Sequence, residues 1–311
     1  MRNVFADIIK SPNKIAFGLT NLGLTKCMSD ESYLKWVFKL SFGKKLDLND
    51  PKTFNEKLQW LKLYDRNPKY TEMVDKYEVK KYIAEKIGDQ YIIPTLGVWD
   101  KFDDIDFNSL PNQFVLKCTH DSGGLVICKD KSKFDKEAAR KKIEKSLRSN
   151  FFRRGREWPY KDVKPRIIAE QYMSDGRDDL ADYKIHNFNG VPKMVLVCRD
   201  RFKNSGLTED FLTENWEHID VRRPGHPNAS EEIPKPEKLQ EMLELSKVLS
   251  EGIPFVRTDF YEIDGRVYFG EITFYPASGF AGFEPEKYDC EFGDWISLPK
   301  KYQVNFTESK K

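Results

Sequence analysis

The sequence has few cysteines, no long apolar run and almost no excess of charge, and each shortage excludes something. Its five cysteines (Cys27, Cys118, Cys128, Cys198, Cys290) are odd in number, widely scattered and never in CxxC spacing. That disfavours both a disulfide framework and a structural zinc site. No stretch approaches the roughly 20 apolar residues needed to span a bilayer, so no transmembrane segment is expected. The opening MRNVFADIIKSPNKIAFGL is interrupted by Asp7, Lys10 and Lys14 and lacks the apolar core of a secretory signal. A cytoplasmic location is the expectation. With 52 basic against 50 acidic residues, net charge points to no polyanion, and nucleic acid is not expected as a partner. Internal repeats and low-complexity tracts are missing as well.

What is present is a chain of 311 residues, long enough to bury a sizeable core. Residues 1 to about 70 read as helical, with Ser29-Asp30 capping ESYLKWVFKLSF and Asn49-Asp50-Pro51 opening a helix through FNEKLQWLKLYD. One further helix is expected over TEMVDKYEVKKYIAEKIG, with Lys76 in its first turn and Gly88 as its stop. Strand-like text begins at Tyr91 and continues through FVLKCTH and LVICKD. A charged helix, DKEAARKKIEKSL, precedes the apolar run RIIAEQYM. DYKIHNFNGVPKMVLVCRDR reads as a hairpin about Asn189-Gly190. The polar segment from about residue 204 to 234 is expected to be a long loop. A helix and a last hairpin, PFVRTDFYEIDGRVYFGEITFYP, follow.

Three groups of residues carry possible chemistry. Phe114, Val115 and Leu116 deliver Lys117, and His120-Asp121-Ser122-Gly123-Gly124 then turns the chain into another strand. This is not a Walker A loop, which ends in GK[ST] at a helix N-terminus. Loop amides under a hairpin flap could instead cradle phosphate, with glycines admitting close approach. Read blandly, the same residues are a turn with a lysine at a strand end. His120 is expected to be a hydrogen-bonding residue without a catalytic role.

In the last hairpin, Val256, Phe260, Tyr268, Ile272 and Phe274 share one parity while Arg257, Asp259, Glu271 and Thr273 share the other. A two-residue Asp264-Gly265 loop would set oily against polar positions, so a three-residue loop with Gly265 as bulge residue is expected. That register makes Asp259 and Glu271 diagonal neighbours on one face, within reach of a shared cation. Two hard carboxylates suit Mg2+ bridging nucleotide phosphates; surface ion pairs are the plain alternative. Arg257 could neutralise the carboxylates or meet a phosphate. The middle hairpin sorts Tyr183, Ile185, Met194, Leu196 and Cys198 from Asp182, Lys184, Arg199 and Arg201, which suggests one cationic face for a transferring phosphoryl group.

Together these residues resemble the ATP-grasp superfamily, and more closely its TupA-like branch, found among bacterial surface-polysaccharide and teichuronopeptide biosynthesis proteins. FNEKLQWLKLYDRNP, DKYEVKKYI, FVLKCTHDSGG, AEQYM, DYKIHNFNG and RTDFYEIDGRVYFGEITFYPASGF carry the likeness in order. The resemblance implies an α+β ATP-grasp fold with nucleotide between two subdomains. A helical N-terminal region over 1–70 would precede a small subdomain, 71–170, with the glycine flap. A large subdomain, 171–311, would hold the metal hairpin. ATP and Mg2+ are the implied cofactors. By the same resemblance Lys76 and Lys117 are nucleotide lysines, and Asp121, Ser122, Gly123 and Gly124 form the phosphate flap. Glu170 with the backbone of Gln171 and Tyr172 is the adenine hinge, Asp182 meets ribose and Lys184 the phosphates. Asp259 and Glu271 hold metal, joined by Thr273 where many members have asparagine, and Arg199 or Arg201 lies beside an acyl-phosphate.

The implied reaction activates a carboxylate as an acyl-phosphate that an amine then attacks. Its substrates would be small-molecule or saccharide-linked carboxylates and amines, with a cell-envelope saccharide precursor among them. A kinase of a sugar hydroxyl on the same fold, a polysaccharide glycosyltransferase and a non-catalytic nucleotide-binding scaffold are the competing readings, and dependence on an amine separates the first of these from a ligase.

Overall fold

The computed structural model describes residues 13–21, 23–176, 180–199 and 206–300. Helices α1 (Asn13–Asn21), α2 (Asp30–Phe42), α3 (Phe54–Tyr64), α4 (Lys69–Val74) and α5 (Val79–Lys86) come first. Strands β1 (Thr95–Trp99), β2 (Phe114–Cys118) and β3 (Leu125–Cys128) follow, then α6 (Lys136–Leu147), the single turn α7 (Phe152–Gly155) and β4 (Ile167–Gln171). Strands β5 (Asp182–Phe188), β6 (Val191–Arg199) and β7 (Thr208–Thr213), helix α8 (Leu239–Leu249), β8 (Phe255–Ile263), β9 (Arg266–Thr273) and α9 (Lys287–Asp294) complete it. Two antiparallel sheets result, ordered β1-β4-β2-β3 and β7-β6-β5-β8-β9. The segment expected to be one long loop over 204–234 thus contains an edge strand, β7.

Local chemistry sets the helix ends, and twice not where the sequence suggested. Ser29 caps α2 as expected, accepting from the Ser32 amide at 3.2 Å. α3 starts at Phe54 rather than at Asn49-Asp50-Pro51, because Thr53 and Glu56 form a reciprocal capping box. The single helix expected across Lys76 is broken. Asp75 Oδ1 accepts the amides of Tyr77 and Glu78 at 2.8 and 3.3 Å, and such local bonds compete with the helical ladder. Lys76 therefore lies in a turn between α4 and α5.

Both hairpins of the second sheet use a two-residue loop followed by a bulge. Asn189 and Gly190 have φ of 52° and 80°, and Asp264 and Gly265 have 51° and 70°, the left-handed pair of a type I′ turn. The expected three-residue loop at Gly265 is thereby corrected, since Ile263 pairs directly with Arg266. Phase is recovered further along. Phe260 pairs with Phe269 but Asp259 with Glu271, which leaves Gly270 as the extra residue. Val267 and Phe269 before the bulge and Ile272 beyond it are all buried, while Tyr268 moves to the other face, opposite Tyr261. Asp259 and Glu271 are consequently direct cross-strand partners, not diagonal ones.

A matching bulge at Lys193 lies between the pairs Asn187–Pro192 and His186–Met194. Beyond it Lys184 shares a face with Leu196, and Asp182 with Cys198. Arg199, one residue past Cys198, takes the opposite face. The expected cationic face of Lys184, Arg199 and Arg201 is not formed: the bulge inverts the parity of β6 against β5, and Arg201 lies outside the described residues.

Each sheet has its own covering. α6 buries Ala139 and Ile143 against Phe114, Leu116, Ile167 and Ala169 of the first sheet. α8 covers one face of the second, where Ser246 Oγ meets Asn187 Oδ1 at 2.8 Å and Thr258 Oγ1 at 2.5 Å. The N-terminal helices pack on its other face. Phe54 of α3 meets Phe255 edge-on at 4.9 Å between centroids, and Phe188 at 6.2 Å. They share one apolar core with the second sheet.

Candidate active site

The face of the second sheet that α3 covers changes character along its strands. Phe255 and Phe188 lie under the helices; Arg257 and His186 come next; Asp259, Lys184 and Glu271 follow, level with Phe211 of β7; Asp182, Cys198 and Tyr261 reach the open end. There a cleft of about 930 Å³ lies between the sheets. Val115, Lys117 and Glu170 line it from the first sheet and Asp182, Cys198 and Tyr261 from the second.

Arg257 gathers the polar residues of the last hairpin. Its Nε donates to Asp259 Oδ1 at 2.7 Å, and its Nη2 to Asp259 Oδ2 at 2.7 Å, Glu271 Oε1 at 2.8 Å and Thr273 Oγ1 at 3.0 Å. Lys184 Nζ joins the cluster with 2.5 Å bonds to both Asp182 and Asp259. Burial alone would lower the pKa of Arg257 and of Lys184, but the carboxylates around them raise both. His186, 1% exposed, donates from Nδ1 to the Lys184 carbonyl at 3.0 Å. Burial, then the charge of Arg257, holds it well below the usual histidine range, so it is neutral.

Among the described residues no three His, Cys, Asp or Glu side chains form a ready-made metal cage. The donors still fit Mg2+ that shares its ligands with phosphates, because such a site takes only one or two protein carboxylates. An oxygen of Asp259 and one of Glu271 lie within 2.8 Å of the same guanidinium nitrogen, so one cation can touch both.

Across the cleft, Glu170 is 5% exposed and holds two lysines, Lys80 at 2.5 Å and Lys117 at 2.6 Å. Burial would raise its pKa, yet the two ammonium groups hold it below the usual range. Lys80 is the cation that the sequence did not point to. It is the second residue of α5, and nothing in its spacing distinguishes it from Lys81. Lys76 instead turns to the flap, where its ammonium donates to the Asp121 carbonyl. Asp121 Oδ1 accepts the Gly124 amide at 3.1 Å, and its other oxygen accepts from Ser146. His120 Nε2 meets the Ser146 and Ser149 carbonyls at 3.2 Å each, the hydrogen-bonding part expected of it. Gly124 is required by contact: a Cβ there would come within 2.6 Å of both Cys118 Sγ and Ser146 Oγ. Ser122 and Gly123 are exposed at the tip. At the expected hinge the Gln171 amide already donates to the Pro94 carbonyl at 3.0 Å, while Tyr172 and Met173 line the cleft beside Ile93.

Two further residues enter from unexpected places. Arg223, from the segment taken for a loop, is partly buried with its Nε 3.7 Å from Glu209. Tyr160, from the chain between α7 and β4, lies in the field of Glu157, Glu271 and Asp121, and burial together with these charges pushes its phenol up.

No curated protein matches the sequence. Solved structures overlap it loosely. A D-alanine–D-alanine ligase from Bacillus anthracis complexed with ATP is 19% identical at a TM-score of 0.38, covering 65% of this chain and 54% of that one. The D-alanine–D-alanine ligase from Helicobacter pylori is 16% identical at 0.39, with 74% and 60% covered. D-cycloserine synthetase DcsG is 15% identical at 0.37, with 65% and 62% covered. The chain thus spans little more than half the length of the structures it resembles. The sequence match is firmer, for residues 56–297 fit the family described as TupA-like ATPgrasp, and by that match the chain belongs to the TupA-like ATP-grasp family.

Proposed function

We propose that this chain is an ATP-dependent, ADP-forming carboxylate–amine ligase that acts through an acyl-phosphate. The observation that carries the reading is the Arg257 guanidinium bridging Asp259, Glu271 and Thr273, with Lys184 on Asp259, across a cleft from paired Lys80 and Lys117. Phosphates enter between the two groups. Lys117 and Lys80 meet them from the first sheet, the Asp121–Gly124 flap covers them, and Ile93, Tyr172 and Met173 offer the apolar slot for adenine. Asp259, Glu271 and Thr273 would hold Mg2+, which would supply charge neutralisation at the transferring phosphoryl group.

The remaining chemistry belongs to the chain's own side chains. Arg257 faces negative charge with a fixed, always protonated fork and needs no reorganisation as charge develops. Lys184, kept protonated by Asp182 and Asp259, adds a second cation on the same side. Arg199 is on the far face and is given no part. A cell-envelope saccharide precursor as the source of the carboxylate or of the amine is supported by the family resemblance.

Coupled ADP detection with a panel of sugar acids and amines tests the reading. ADP release that requires both a carboxylate and an amine, and is lost in Lys117→Ala and Glu271→Gln, is the expected result. Release that proceeds with a hydroxyl acceptor and no amine would instead establish a kinase.

A further inference from the structure

A second cavity, of about 400 Å³, lies apart from the nucleotide cleft, between the turn after α1 and residues 150–162. Four cations line it, Lys26, Arg153, Arg156 and Lys161, against one carboxylate, Asp162. Lys26, Arg153 and Lys161 are exposed, and among the described residues none is within ion-pair distance of a carboxylate. Arg156 differs from them. It is 7% exposed, held between Tyr33 at 4.5 Å and Phe152 at 5.3 Å, and its Nη2 donates to the Thr25 carbonyl at 3.0 Å. Its Nε lies 3.5 Å from Asp30 Oδ1 and has no hydrogen-bond acceptor. With Asp30 set against Arg156 and Asp162 against one of the others, two cations remain uncompensated.

The wall is held in place without a ligand. Asn150 clips the segment by donating to the Lys161 carbonyl and accepting the Phe152 amide, each at 3.1 Å. Tyr33 donates from its hydroxyl to the Arg154 carbonyl at 2.8 Å. A rigid concavity with one sign of charge focuses its field and concentrates counter-ions, which a convex basic surface does not do. The exposed guanidinium of Arg153 beside the Lys161 ammonium matches the paired oxygens of a carboxylate or phosphate, and the buried charge of Arg156 adds to the field behind them.

We infer that this cavity is an anion site, separate from the nucleotide cleft, that binds the carboxylate or phosphate of a molecule about the size of a monosaccharide. The site does not depend on the ligase reading. Its wall is also tied to α3 and to the chain after β9: Lys62 donates to the Gly155 carbonyl and to the Ser278 carbonyl at 2.7 Å each, and Ser278 Oγ to Glu157 at 2.5 Å.

Isothermal titration of the full chain, with the nucleotide cleft saturated by ADP and Mg2+, tests the site with two probes, inorganic phosphate and glucuronate. At least one is expected to bind at one per chain. The exposed pair Arg153→Met/Lys161→Met should weaken that binding by about tenfold or more at an unchanged thermal midpoint, as expected for lost charge-assisted contacts. Arg156→Met should abolish it. Preference for phosphate or for glucuronate identifies the source of the anion. Absence of binding by both probes, or binding that the double variant leaves unaltered, overturns the inference.

Discussion

Arg257 touches Asp259, Glu271 and Thr273 at once, and Glu170 holds Lys80 and Lys117 at once. Each is the hub of a charge cluster on one wall of the cleft, so single substitutions there have distinct consequences. Arg257→Met removes a donor from the place where charge develops; turnover should fall by about 100-fold or more, while ADP binding with Mg2+ changes only a few-fold. Equal losses of turnover and of ADP affinity in that variant would show that Arg257 serves binding alone. Glu170→Gln leaves two half-buried ammonium groups sharing a neutral partner. A stability loss of about 2 kcal/mol or more is expected by denaturant unfolding, since breaking a buried pair strands the remaining charge. An unchanged midpoint would mean that water already satisfies both lysines.

At the level of elements, the flap and the two bulges matter most. The two flap glycines are not equivalent. A Cβ on Gly124 would meet Cys118 Sγ and Ser146 Oγ at 2.6 Å, whereas one on Gly123 meets nothing closer than 3.7 Å. Gly124→Ala should therefore cost about 1–3 kcal/mol, as overpacking does, and Gly123→Ala should stay within about 0.5 kcal/mol of the parent. Thermal midpoints of the two variants, measured side by side, decide it; equal midpoints would show that the flap yields. The bulges at Lys193 and Gly270 decide which side chains share a face. Gly270 brings Glu271 opposite Asp259, and Lys193 carries Arg199 away from Lys184.

For the whole molecule, helices over 13–74 complete the core of the second sheet and leave its polar end facing the first. His186 lies at the boundary between those two regions, buried and neutral. In the unfolded chain it takes up a proton below its ordinary value of 6.5, so the unfolded state then binds more protons and the fold is disfavoured. Stability should fall as pH drops below that value, by up to about 1.4 kcal/mol per pH unit from this group. His186→Gln should flatten that part of the profile between neutral pH and pH about 5. A slope equal to that of the parent would place the acid sensitivity elsewhere.

How much of this was legible in the chain follows from the range of each interaction. Ser29 as a cap, Asn189-Gly190 as a turn, the two-sided last hairpin and Lys117 before its glycine loop are written in residues a few positions apart, where steric and hydrogen-bonding preferences act locally. Strand alternation placed Asp259 and Glu271 on one face, and the resemblance made that face a metal site. Register was not legible to the same degree: a single extra residue inverts a strand's faces, and Lys193 and Gly270 leave no parity signal distinguishing a bulge from a longer loop. Lys80 was hidden because its partner, Glu170, is distant in sequence. Arg223 and Tyr160 were hidden in the same way, in segments that read as connections. The sequence by itself determined most of the elements, the alternation of oily and polar positions along each strand and the family; the tertiary structure alone decided the edge strand β7, the break at Lys76 and which stripes meet, because these depend on bulges, on local side-chain bonds and on charges paired across two sheets.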